Sequence, residues 1–145
     1  MRIVAVMVLV LGASAQAYDS RIGDALIDAR SGLAGSSLDL TQMVLPKWRT
    51  GVTLTHGWDA TRIPFGLGAV VGYEHHRRGY ALVPRARITA SMGLLRDGGL
   101  GVNAQLSAGL VWYLTRQTGL GLSAGGNLWG NQLNPDLTVS LVQRW

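Results

Sequence analysis

From Lys47 to Trp145 the side chains alternate between apolar and small or polar with a period of two. Few folds tolerate so long a run of strict alternation, because it places every second side chain on one face of an extended strand. In "KWRTGVTLTHGW", Trp48, Val52, Leu54 and Trp58 oppose Arg49, Gly51, Thr53, Thr55 and Gly57. "IPFGLGAVVGY", "YALVPRARITASMGL", "LGVNAQLSAGLVWYL" and "GLGLSAGGNLW" follow the same rule, and "LTVSLVQRW" supplies the closing strand. The breaks "DATR", "HHRRG", "RDGG", "TRQT" and "GNQLNP" carry turn-forming Gly, Asp, Asn or Pro, so six strands joined by hairpins are expected.

The region before Lys47 is open to two readings. "RIGDALIDAR" and "SSLDLTQMVL" alternate as strands, with Asp24 and Asp28 opposing Ala25, Ile27 and Ala29, and Asp39 opposing Leu38 and Leu40. Ile22, Leu26, Ala29 and Leu33 also fit a helical stripe, so residues 19–33 can be drawn as an amphipathic helix. Closure favours strands: two more make eight, and single-chain bacterial barrels use even numbers. Ahead of them, "MRIVAVMVLVLGASAQA" has one Arg, an apolar run and two A-x-A sites. This is expected to be a cleaved signal peptide over residues 1–17, with a single domain over residues 18–145.

The content of the two faces separates a membrane barrel from a soluble sheet. The second face is rich in Gly, Ser, Thr, Asn and Gln, and the sequence has one lysine, Lys47. Soluble surfaces are normally rich in Lys and Glu, whereas a narrow barrel interior takes small or mutually satisfied polar groups. The same face carries Asp24, Asp28, Asp39, Glu74 and Asp136 with Arg30, Arg49, Arg85, Arg87 and Arg144. Buried charges must be paired, so these equal sets are expected to form one network that plugs the lumen. Arg85 and Arg87 are expected deepest, and Arg144 is expected to point inward toward Asp24.

The aromatic residues sort by end. With the end of the last strand assigned to the periplasm, Trp48, Tyr73, Tyr80, Trp112 and Trp145 fall at that rim, and Trp58 and Trp129 at the other. Interfacial girdles have this distribution. Lys47, Arg49, His75, His76, Arg77, Arg78, Arg116 and Arg144 gather near the same rim, which suits anionic lipid head groups.

Taken with the signal peptide, the roughly ten-residue strands and the terminal aromatic, the chain resembles small Gram-negative outer-membrane β-barrels of the eight-stranded class. That class includes the outer-membrane protein A transmembrane domain, OmpX and PagL-like barrels. The resemblance implies an all-β, eight-stranded antiparallel up-and-down transmembrane β-barrel with short turns, located in the cell outer membrane. It also implies outer-membrane lipids, the barrel-assembly machinery and an envelope protein as partners. The machinery would read the closing strand, where Leu137, Val139, Leu141 and Trp145 match the pattern and Gln143 departs from it.

Chemistry is sparse. With zero cysteines there is no thiolate metal site or disulfide. The glycines lie in strands and hairpins rather than phosphate loops, and the adjacent His75 and His76 diverge in extended backbone, so no cofactor or metal is expected. A net charge of +5 is modest, and no nucleic-acid partner is expected. His56 breaks the apolar parity, and a "LPK" turn that pairs Val44 with Trp48 would set it opposite Ser36. A His–Ser pair can act as base and nucleophile, so lipid A or phospholipid acyl hydrolysis is the alternative to a structural or envelope-interaction role. A soluble periplasmic barrel that binds an apolar ligand is a third reading, and requires the Leu-rich face to point inward.

Overall fold

The computed structural model describes residues 21–57, 65–76, 80–95, 97–129 and 132–145, with the side chains of Trp129 and Gln132 excepted. Its strands are β1 (Ala25–Gly32), β2 (Gly35–Leu45), β3 (Trp48–Gly57), β4 (Phe65–Glu74), β5 (Leu82–Leu94), β6 (Leu100–Tyr113), β7 (Thr118–Trp129) and β8 (Gln132–Arg144). Each pairs antiparallel with its neighbour in sequence, and β1 pairs with β8, so the sheet closes as an up-and-down barrel. Closure continues past β8, where the backbones of Trp145 and Ala25 exchange N–H···O bonds of 3.3 Å. The sheet therefore has no open edge.

The region with two readings is strand. Asp28 pairs with Asp39 on one side and with Val142 on the other. A helix there would leave the edges of β2 and β8 unsatisfied.

Alternation decides what faces in. Leu106 and Leu122 are 60% and 55% exposed, while the adjacent Ser107 and Ser123 are each 3% exposed. No outward position on the described strands carries Asp, Glu, Lys or Arg. The soluble reading needed the Leu-rich face inside, and the structure turns it outside. The inward positions are filled instead by small, polar and paired charged side chains. Gly68 and Gly109 show how tight the curl is: a Cβ there would collide with the backbone oxygens of Ala90 and Leu122 on the neighbouring strands.

Three local expectations change. "GNQLNP" is mostly strand, since β7 runs to Trp129, β8 starts at Gln132, and Pro135 pairs with Gly126. The oxygen of Leu137 accepts from Leu33 N–H, so the backbone groups of the same parity in β8 point toward β1. β1 stops at Gly32, opposite Thr138, and the missing N–H of Pro135 therefore removes no bond to β1. Tyr80 precedes β5 instead of opening it. The "LPK" turn pairs Leu45 rather than Val44 with Trp48, a register shift between Met43 and Leu45 restores the pairing from Met43 onward, and Lys47 takes a φ of 72°. The proposed signal peptide, Trp58, Arg77 and Arg78 lie outside the described residues.

Candidate functional site: the barrel interior and an outward polar row

The interior is stacked in levels. At mid-height the register places Asp28 directly opposite Asp39, an arrangement that like charges alone would not tolerate. Arginines from the far side of the barrel resolve it. Arg85 on β5 donates to Asp28 Oδ2 at 2.7 Å and to Ser140 Oγ at 2.6 Å. Two nitrogens of Arg87 lie 2.8 Å from the two Asp39 oxygens, and Thr53 donates to Asp39 at 2.6 Å. Arg30 lies 3.9 Å from Asp28 and donates to Ser107, Ser123 and Thr138. These ion-pair members are all less than 9% exposed. Without solvent to screen them, they need this degree of pairing.

Toward the end opposite the termini, Asp136 accepts from Gln105 Nε2 at 2.8 Å and from Ala34 N at 3.2 Å. With Arg30, Asn103 and Asn127 it borders a cavity of about 30 Å³. Toward the end that carries the termini, Arg49 donates to Glu74 at 2.9 Å and His76 meets the same oxygen at 2.8 Å. Arg144 points inward, donates to Tyr113 Oη at 3.1 Å and lies 4.0 Å from Glu74. Asp24 is half-buried just before β1; its carboxylate accepts from Arg21 N and its carbonyl from Arg49. A second cavity of about 30 Å³ lies between this level and the Asp28–Asp39 pair.

Sequence reasoning missed the apolar part of the interior. Leu26, Val83, Val111, Tyr113 and Val142 form a buried cluster near the termini. The signal was present, since Val111 and Tyr113 have the parity opposite to Leu110 and Trp112. The adjacent histidines diverge as expected, but the inward turn of His76 to Glu74 was not foreseen, and His75 meets Tyr73 Oη at 3.3 Å.

On the outside, Trp48, Tyr73, Tyr80, Trp112 and Trp145 gather at the end that carries the termini, with Trp48 edge-on to Tyr73 at 5.2 Å. Trp129 ends β7 at the other rim. Ser36 pairs with His56, as the "LPK" turn suggested. His56 is half-buried and stacks on Phe65 at 4.8 Å. Base and nucleophile are thus neighbours, and no outward strand position among the described residues carries a carboxylate.

No protein-family model and no curated protein matches the sequence. Solved structures do. The N-terminal β-barrel domain of Pseudomonas aeruginosa OprF matches with a TM-score of 0.67 at 12% identity, over 85% of this chain and 98% of that one. A de novo designed transmembrane β-barrel matches with a TM-score of 0.61 at 13% identity, over 88% and 99%. At such identities the likeness is one of fold. The closed, eight-stranded, wholly antiparallel sheet with an uncharged outer face thus has the fold of the small transmembrane β-barrels.

Proposed function

We propose that the chain is an integral outer-membrane barrel with a plugged lumen, acting as a structural or envelope-interaction protein rather than a pore. The observation that carries this reading is the division of charge: outward strand positions have none, and the interior holds Asp28, Asp39, Glu74, Asp136 and their arginines. An uncharged band suits hydrocarbon. Two cavities of about 30 Å³ each, with the Arg85–Asp28 and Arg87–Asp39 pairs between them, offer room for about one water apiece. The Arg85–Asp28 and Arg87–Asp39 pairs crossing the bore at mid-height support a lumen closed to hydrated ions. The aromatic rim and the signal peptide read from residues 1–17 support export to the outer membrane with the termini on the periplasmic side. In the same reading the barrel-assembly machinery inserts the chain through its closing strand, and its short turns leave a small surface for an envelope partner.

The test combines fractionation with conductance. The chain is expected in the carbonate-resistant membrane fraction, with migration on gels that shifts on heating, and without channel activity in planar bilayers. Recovery only in soluble periplasm would overturn the membrane assignment. Steady ion conductance would overturn the plugged lumen.

A further inference from the structure

The two ends of the barrel differ in shape. Residues that pair in turn from Trp48 through Tyr73, Ala86, Ala108 and Ala124 reach Leu137. The carbonyl of Leu137 accepts from Leu33, just past the outer end of β1. A row that starts at the inner end of β3 thus arrives at the outer end of β1. One circuit displaces the register by about ten residues, the stagger that closes a barrel of tilted strands. Shared evenly among the strands, it brings their ends near the termini to one level. Trp48, Tyr73, Trp112 and Trp145 mark that level on β3, β4 and β6 and just past β8.

The opposite ends are not level, because strand length varies. β1 and β2 have 8 and 11 residues, whereas β5 and β6, across the barrel, have 13 and 14. At about 3.4 Å per residue and a tilt of about 40°, the mean difference lifts the β5–β6 wall about 10 Å above the β1–β2 turn. The outward side chains follow this slant. Every outward position of β6 from Leu100 to Trp112 is apolar. Near the tall rim, Leu94, Leu100 and Val102 are 64%, 74% and 64% exposed. On the low side Ser31 pairs with Ser36 on the outer surface, and of the outward side chains of this hairpin only Leu33 lies beyond them, at its tip.

A level bilayer fits neither wall. If it stopped at Ser31 and Ser36, Leu94, Leu100 and Val102 would stand together in water. If it reached Leu100, the β1–β2 turn and the polar cavity beside Asp136 would lie under hydrocarbon, which offers polar groups no water. Tilting the barrel would lift part of the aromatic ring at the other end out of its interface.

We propose that the barrel thins the bilayer locally on its β1–β2 side. The partner of this surface is an outer leaflet drawn down to Ser31 and Ser36, while the β5–β6 wall meets a leaflet of full height. The inference rests on the membrane reading above. A wall shorter than the hydrocarbon core is met by local thinning at modest cost.

The chain has zero cysteines, so single cysteine variants can each carry one nitroxide. Power saturation against oxygen and a nickel chelate then reads the depth of each label below the nearest lipid phosphates. The full chain is reconstituted in dioleoyl phosphatidylcholine vesicles as Ser36→Cys, Leu100→Cys, Val44→Cys, Leu82→Cys or Leu106→Cys. Labels at Ser36 and Leu100 are expected at equal, shallow depth, although they stand about 10 Å apart along the barrel axis. Labels at Val44 and Leu82 should agree in depth at the other interface. A Leu100 label in water, or a Ser36 label deep in hydrocarbon, means a level bilayer and overturns the proposal. Unequal depths at Val44 and Leu82 mean a tilted barrel and overturn it too. Leu106 is the control at mid-strand. A label there open to the nickel chelate would strike the membrane barrel itself, whereas hydrocarbon depth at Leu106 with any of those failures strikes the thinning alone.

Discussion

The two faces of β6 and β7 differ by a single backbone step and obey opposite rules. Leu106, Leu110, Leu120 and Leu122 stand outward and exposed, while Ser107, Ser123 and Asn127 stand inward and nearly inaccessible. The outer face needs only to lack charge, so its members are interchangeable apolar side chains. The inner face needs each polar atom matched, so its members are specific. Tolerance to substitution should differ accordingly.

The sharpest way to break that contrast is to strip one partner from the mid-height network. Asp39→Ala leaves Arg87 without its ion pair and Thr53 without its acceptor. It is expected to cost about 3–5 kcal/mol, as breaking a buried pair generally does. Urea titration of the barrel refolded in phospholipid vesicles would measure it, and a midpoint within error of wild type would contradict the network. Next in size, Leu106→Arg places a charge at mid-strand on the outer face, where depth-dependent penalties reach about 2–4 kcal/mol. If the outer face met water instead of lipid, the same change would be close to neutral. Ser123→Ala removes an acceptor of Arg30 and a partner of Thr138 and should cost about 1 kcal/mol. The smallest effect is expected at Thr118, outward at the rim and bonded to Gln143. Thr118→Ala should stay within about 0.5 kcal/mol, and a larger loss would mean that rim polar pairs carry weight equal to lumen pairs.

Much of the fold was legible because period two is a local property. Arg85, Arg87 and Ser107 could be placed inside from their immediate neighbours alone. The ambiguous stretch around Asp24 to Leu33 yielded to counting, since an eighth strand is what satisfies both β2 and β8. Pro135 misled because a proline reads as a break until one sees that β1 stops short of it. Tyr113 was passed over because it follows Trp112 at a rim, where an aromatic suggests the girdle; its parity pointed to the lumen. The pairing of His56 with Ser36 was visible through turn length, but the register shift between Met43 and Leu45 that offsets the shorter turn was not.

The sequence by itself determined which side chains share a face, because alternation along an extended backbone leaves no other choice; which of the two faces lines the bore was decided by closure of the barrel. The sequence also determined that the inward charges balance. Only the tertiary structure decided which charges meet: Arg85 reaches Asp28 and Arg87 reaches Asp39 across the bore, from β5 to β1 and β2. That choice depends on closure and on the stagger of the strands. Both are properties of the whole ring of hydrogen bonds, so no single strand encodes them.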